Sequence, residues 1–383
     1  MNKRLFTPGR RMIAAIGCAL ACQTALAAQP DFQTLETMEA TCGAIRKPVA
    51  GMTSQQQQAY VICNDIATVK QIATFFDYAT RRKQEARLTD REMSLVVRTE
   101  LAGVRDRLRQ SRLVLERLQL RKDQGLLLQP GSWVMDLNGD GQISDWERDL
   151  FAIPAKVDGE DGHGASRGFN REAVFRLDQS DIYWMLSYHY FLEALPEILL
   201  SYGLEGDKID SGTIVLVDPA GMKRARQLII KGLQVSEKMR RSVLAETDDK
   251  DEWLPNPRQH DTAFPLALDD EDFAIWGEAM KHSISLFEGK TLLPLDPKAP
   301  TVFTPMARLC GEGEGVSIQA FFDNPPKRPL LDMSNGGLTT YCHKIDAGHP
   351  ASGMLAFMRQ YAERGQARAD VGMRLLRRLF WVN

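Results

Sequence analysis

Leu88-Thr89-Asp90-Arg91-Glu92-Met93-Ser94-Leu95-Val96-Val97-Arg98-Thr99-Glu100-Leu101-Ala102-Gly103-Val104-Arg105-Asp106-Arg107-Leu108-Arg109-Gln110-Ser111-Arg112-Leu113-Val114-Leu115-Glu116-Arg117-Leu118 is the most regular stretch of this 383-residue chain. Val97, Leu101, Val104, Leu108, Leu115 and Leu118 recur by four and three, with Ser111 filling the one gap. That pattern is a narrow apolar seam on a helix otherwise rich in Arg and Glu. Thr89 and Glu92 form a capping box, which sets the start of the helix. Two readings of the seam are open. The favoured one is an antiparallel hairpin with the helix before it. The other is a coiled-coil surface for a partner or a second copy. The same helical period dominates most of the remaining chain. It predicts a mainly α fold, an irregular multi-helix bundle.

Toward the N-terminus, Thr53 and Gln56 open a helix that runs to about Arg82, with Ile62, Ile66, Val69, Ile72 and Phe76 on one side. Its start contains Gln55-Gln56-Gln57-Gln58, the one low-complexity run. Residues 28–128 therefore read as an N-terminal helical hairpin region. Residues 129–383 read as a helical core that packs with it as one domain. In that core Ser180 is expected to cap a helix from Asp181 to about Tyr202, ended by Gly203. Ile182, Trp184, Leu186, Phe191, Leu195 and Leu199 make it apolar nearly all round, so it should lie centrally. Pro196 should kink it. Thr213 to Val217 is a short strand candidate, and Asp218-Pro219 opens a further helix. Glu246 to Glu252 is the densest acidic patch and reads as a solvated loop. It leads into Trp253 and a rigid Pro255-Asn256-Pro257. Asp269 to Glu288 is another helix, ended by Gly289. Leu292 to His349 is loop-rich, and the last helix starts near Ser352.

One stretch carries chemistry. In Asp136-Leu137-Asn138-Gly139-Asp140-Gly141-Gln142-Ile143-Ser144-Asp145-Trp146-Glu147, oxygen-bearing residues stand at positions 1, 3, 5, 7, 9 and 12. Asp136, Asn138 and Asp140 can converge on one ion through alternate side chains. Gly141 allows the sharp turn, and Gln142 offers its backbone carbonyl. Ser144 acts directly or through a water, and Glu147 can give two oxygens. Six such donors suit Ca2+, a hard dication that takes six to eight oxygens. The competing reading is an Asx-rich surface turn that holds nothing. The loop resembles the EF-hand family over residues 136–147 and the start of an exiting helix, Asp145 to Phe151. On the entering side, Pro130-Gly131 interrupts a helix. The resemblance is therefore to the bacterial EF-hand-like kind, which implies a structural ion more than a helix-opening switch. Asp158 to Gly164 and Asp332 to Gly337 miss the required offsets and read as ordinary loops. The regions Phe175 to Gly203 and Ala245 to Gln259 loosely resemble uncharacterised secreted bacterial proteins, which brings no activity with it.

The N-terminus reads as a signal peptide, residues 1–27. Lys3, Arg4, Arg10 and Arg11 precede an apolar Met12 to Ala21, and Ala25-Leu26-Ala27 is a small-x-small cleavage site. The apolar run is too short to span a bilayer, and no other segment is long and apolar enough. Export would place the chain in the periplasm, or outside, of a Gram-negative bacterium. A twin-arginine signal at Arg10-Arg11 and a lipid anchor at Cys22 stay open. Without the four leader cations, 48 Lys and Arg fall to 44 against 50 acids, a balance of −6. That argues against nucleic acid as a partner. Four cysteines remain, Cys42, Cys63, Cys310 and Cys342, with three connectivities. Cys42–Cys63 and Cys310–Cys342 are favoured because each closes a short loop. Arg364, Arg368, Arg374, Arg377 and Arg378 beside Leu375, Leu376, Leu379, Phe380 and Trp381 form a basic amphipathic tail. It is read as a docked helix before a contact with an anionic membrane surface.

His189, Glu193 and Glu197 share a helix face at i, i+4 and i+8. They could ligate a metal or supply a base and an acid. The favoured reading is that they satisfy one another, or an Arg, in the core. No nucleophile elbow, His-Glu-x-x-His or phosphate-binding Gly loop occurs. The sequence thus implies an exported, calcium-binding helical protein that binds or scaffolds an unknown partner. The alternative is a metal-dependent hydrolase built on His189, Glu193 and Glu197.

Overall fold

The computed structural model describes residues 29–84, 88–121, 124–155, 168–210, 212–265, 268–294, 310–311 and 313–367. The leader, the Asp158–Gly164 loop and the side chains of the Arg-rich tail lie outside the described residues. The chain is mainly α-helical. It begins with α1 Leu35–Ala44, α2 Ser54–Gln84, α3 Asp90–Leu115, β1 Leu127–Leu128 and α4 Asp145–Asp149. Next come β2 Ile153–Pro154, β3 Phe169–Asn170, β4 Phe175–Arg176, α5 Gln179–Leu200, β5 Tyr202–Leu204 and β6 Ile214–Leu216. Then follow α6 Pro219–Ala245, α7 Asp270–Phe287, β7 Leu293–Pro294, β8 Glu314–Val316 and α8 Ile318–Asp323. The order ends with α9 Pro329–Ser334, β9 Cys342–Lys344 and α10 Ala351–Ala367.

The hairpin forms within the chain. Tyr60 bonds Gln110, Asn64 bonds Ser111 and Gln71 bonds Glu100, so α2 and α3 run antiparallel. Thr89 and Glu92 cap each other as the capping box requires. α5 packs between α3 and α6. Its start differs from the expectation. Asp178 is the N-cap, with Asp181 completing its box. Ser180 instead donates to Glu246. The helix continues through Pro196 and stops at Leu200, because Tyr202–Leu204 pairs antiparallel with Ile214–Leu216. Its burial is also less complete than its composition suggests, since Leu192, Leu195 and Leu199 are about half exposed.

The main core gathers side chains from distant parts of the chain. Phe32, Trp133, Phe175, Trp253, Phe264 and Phe273 all belong to it. Phe175 stacks on Trp253 with centroids 4.4 Å apart. The bridges pair Cys42 with Cys63 and Cys310 with Cys342. The second clamps the C-terminal part, where β7, β8 and β9 form one small sheet. The Asp332–Gly337 stretch, expected as a plain loop, is instead the end of α9 followed by Gly336 at φ +74°. Among the described residues no helix is long and apolar enough to cross a membrane.

Candidate metal centre

The twelve-residue loop is held at both ends by the core. On the entering side the helix is absent, and β1 and a short 3-10 turn at Pro130–Ser132 take its place. Trp133, Met135 and Leu137 point inward and are buried. The Trp133 indole N–H donates to the Phe32 carbonyl at 3.1 Å. The Gln129 amide donates to the same oxygen at 3.2 Å. On the exit side α4 is only five residues long. Arg171 fixes it by donating to Asp149 at 2.5 Å and to the Arg148 carbonyl at 3.0 Å.

Inside the loop, the expected ligand oxygens already accept backbone amides. Asp136 accepts from Gly139 at 2.7 Å and from Gly141 at 2.8 Å. Asn138 accepts from the Asp140 amide, and Asp140 accepts from the Gln142 amide. Gly139 and Gly141 sit at φ +76° and +85°, where a Cβ is strained. Glu147 closes the ring. Its Oε1 accepts from Leu137 and Asn138, and its Oε2 accepts from the Ser144 amide and hydroxyl. The side chain is buried, with 1% of the residue exposed. Burial pushes its pKa up, but the bonds from Ser144, Leu137 and Asn138 outweigh this and hold it below the usual value. Glu147 is therefore an anion at neutral pH.

The donor set fits a hard dication. Asp136, Asn138, Asp140, Ser144 and Glu147 offer side-chain oxygens, and Gln142 offers its carbonyl. Contraction around an ion is still required. The carboxylates of Asp136, Asp140 and Glu147 are not among the acidic groups whose oxygens lie within 4.8 Å of one another. Asn138 also turns its amide N–H toward Asp140, at 3.2 Å. Ile143 and Trp146 are exposed.

The structure does bring three other carboxylates within that distance, Asp178, Glu246 and Glu252. The solvated loop expected from Glu246 to Glu252 is therefore corrected in part. Glu252 is buried, and Glu246 takes the Ser180 hydroxyl. Burial first, then the charge of Asp178, raises Glu246 to about 9. Burial, with Asp178, Asp248 and Asp249, raises Glu252 to about 7 against the pull of the Lys250 amide. Burial thus biases Glu246 and Glu252 toward the protonated form, and nothing in the linear sequence places Asp178 beside them.

His189, Glu193 and Glu197 are each engaged by a different partner. His189 bonds Asp65 of α2 at 3.0 Å. Glu193 takes Arg112 of α3 through two bonds, at 2.5 and 3.2 Å. Glu197 takes Arg224 of α6 at 2.9 Å. The three do not form a group with ligand atoms within 4.8 Å, so the shared helix face does not make a shared site. No protein-family model, characterised protein or solved structure matches this chain.

Proposed function

We propose that this chain is an exported calcium-binding protein of helical architecture, with an ion that is mainly structural. Its role is to bind or scaffold a partner, without catalysis. The observation that carries the reading is the 136–147 loop. Its six donor residues stand at the required offsets, and its own amides orient the carboxylates before any ion arrives. Prior orientation lowers the reorganisation that binding demands. Asp136, Asn138, Asp140, Gln142, Ser144 and Glu147 would hold the ion, which would supply positive charge at the centre of three carboxylates. The two disulfides support an oxidising compartment, the periplasm or outside. The hydrolase alternative is disfavoured, because Asp65, Arg112 and Arg224 already occupy its three side chains.

An unpaired site of this kind belongs to the weak range, a Kd of roughly 10⁻⁴ to 10⁻³ M. At about 10 mM calcium such a site stabilises the fold by roughly 1.4 to 2.7 kcal/mol. For a chain of this length that raises Tm by about 2 to 4 °C. The measurement is the Tm of the mature protein in calcium and in chelator, beside Glu147→Ala. The variant should lose the calcium-dependent increment. An intact protein whose Tm is the same in both buffers would overturn the proposal.

A further inference from the structure

A cavity lies where α1 crosses α2, next to the middle of α3. It measures about 440 Å³ and opens to solvent. Its lining includes three cations, Arg46, Lys70 and Arg107, and a single acid, the exposed Glu39. None of the three cations has a carboxylate partner among the described residues. Arg46 donates only to the Gly43 carbonyl. Arg107 is held by two neutral amides, Gln71 at 3.0 Å and Asn64 at 3.4 Å.

Single cations elsewhere also lack a carboxylate, since Arg98 and Arg258 donate only to backbone carbonyls, but here three line one cavity. Arg112 on the same helix sits on Glu193 and Glu116. Arg224 sits on Glu197 and Asp218, Arg226 on Asp323, and Arg240 on Glu237. A chain with more acids than bases has nevertheless left three cations together without anions. A half-buried guanidinium aimed by neutral acceptors keeps its remaining N–H donors and its whole charge for an incoming anion. The wall opposite is apolar. Met38, Ile45, Ile66 and the Cys42–Cys63 disulfide supply it. A volume of this size falls within the ordinary range for small-molecule sites.

We propose that this cavity binds a small amphiphilic organic anion, a carboxylate on an aliphatic body. The head group pairs with Arg107 and Lys70, with Arg46 at the rim. The aliphatic body lies against Ile45, Met38 and the disulfide. The proposal is independent of the calcium loop, which contributes no residue to this cavity.

The test is calorimetric titration of the full mature protein, in chelator and at low ionic strength, with octanoate, acetate and 1-octanol. Octanoate should saturate one site. Acetate lacks the body and octanol lacks the charge, so each should bind at least about tenfold more weakly. The double variant Arg107→Gln/Lys70→Gln should weaken octanoate by about tenfold or more and leave octanol unchanged. Arg109→Gln, on the exposed side of α3, makes a similar charge change and should have no effect. Should the double variant fail to fold, Arg46→Gln decides, because Arg46 is exposed and should weaken octanoate about threefold by itself. The proposal is overturned if octanoate does not saturate, or if octanol matches it. It is equally overturned if Arg109→Gln weakens octanoate as much as the double variant, or if Arg46→Gln leaves it unchanged.

Discussion

His189 has acceptors on both sides of its ring. Nδ1 lies 2.7 Å from the Met185 carbonyl, and Nε2 lies 3.0 Å from Asp65 Oδ1. Neither oxygen can donate, so the ring satisfies both contacts only as the imidazolium. Burial opposes that charge. The Asp65 carboxylate, the Met185 carbonyl and Glu193 outweigh it and raise the pKa above 6.5. The neighbours are accounted for on each packed element. Asp65 of α2 also accepts from Ser111 of α3 at 2.8 Å, and Arg112 of α3 is taken by Glu193. A folded pKa above the unfolded value means a contribution that is complete below about pH 6.5 and lost as pH rises through the folded value. In Asp65→Asn the counter-charge is gone, so the His189 titration seen by NMR should move to lower pH. Equal midpoints in the two proteins would exclude the imidazolium. This residue pair also explains the one gap in the α3 seam. Ser111 breaks the apolar repeat because its hydroxyl feeds Asp65, a partner on another helix that periodicity cannot reveal.

Among the elements, the helices and the strand at Ile214–Leu216 are legible in the sequence, and the other short strands are not. The capping box at Thr89, the helix start at Asp269 and the Asp218-Pro219 start of α6 are local signals, and they form as read. α1 starts at a Thr34–Thr37 capping box that lacks the usual Glu or Gln, and β1 and β4 consist of two residues each whose pairing is set by distant chain. Asp178 and Ser180 are both good caps, and the choice between them is made by Glu246, far along the sequence. The Gln run at the start of α2 looks featureless, yet Gln58 is 1% exposed. It donates to the Gln124 carbonyl and accepts from the Leu126 amide. It thereby fixes the strand segment beside α2. Gly125 lies between those two contacts. A Cβ there would meet the Leu177 carbonyl at 1.7 Å, and Leu177 is itself bonded to Leu126. Backbone on both sides leaves no cheap relaxation. Gly125→Ala should therefore destabilise by at least about 1 to 3 kcal/mol, in the range of an overpacked core. Urea unfolding checks this, and a midpoint equal to that of the parent would count against the packing described for this segment.

At the scale of the whole molecule, one electrostatic feature is contained in no linear window. Asp178, Asp181, Glu246 and Glu252 come together from the start of α5, the end of α6 and the loop beyond it. The acidic run after α6 is visible in the sequence, but its burial depends on the aromatic stack of Phe175 and Trp253, which carries Glu252 inward. Burial holds Asp181 well above its ordinary value, as it does Glu246 and Glu252. The sign then follows from linkage. The folded chain keeps protons that the unfolded carboxyls release above about pH 4.5, so this stabilisation is complete below that value and is lost as pH rises through 7 and 9. His189 acts in the same direction, whereas the lowered His282 opposes it near neutral pH and the lowered Glu147, Asp218 and Glu237 oppose it at the acid end. The balance predicts a protein whose Tm in chelator is higher at pH 5 than at pH 8. Glu246→Gln keeps the shape, cannot ionise and still offers an oxygen to Ser180. It should match the parent at pH 5 and exceed it at pH 8, so that the two melting curves diverge with rising pH. Parallel profiles, or a parent Tm that climbs from pH 5 to pH 8, would mean that these carboxyls are ionised in the fold and that another charge compensates them.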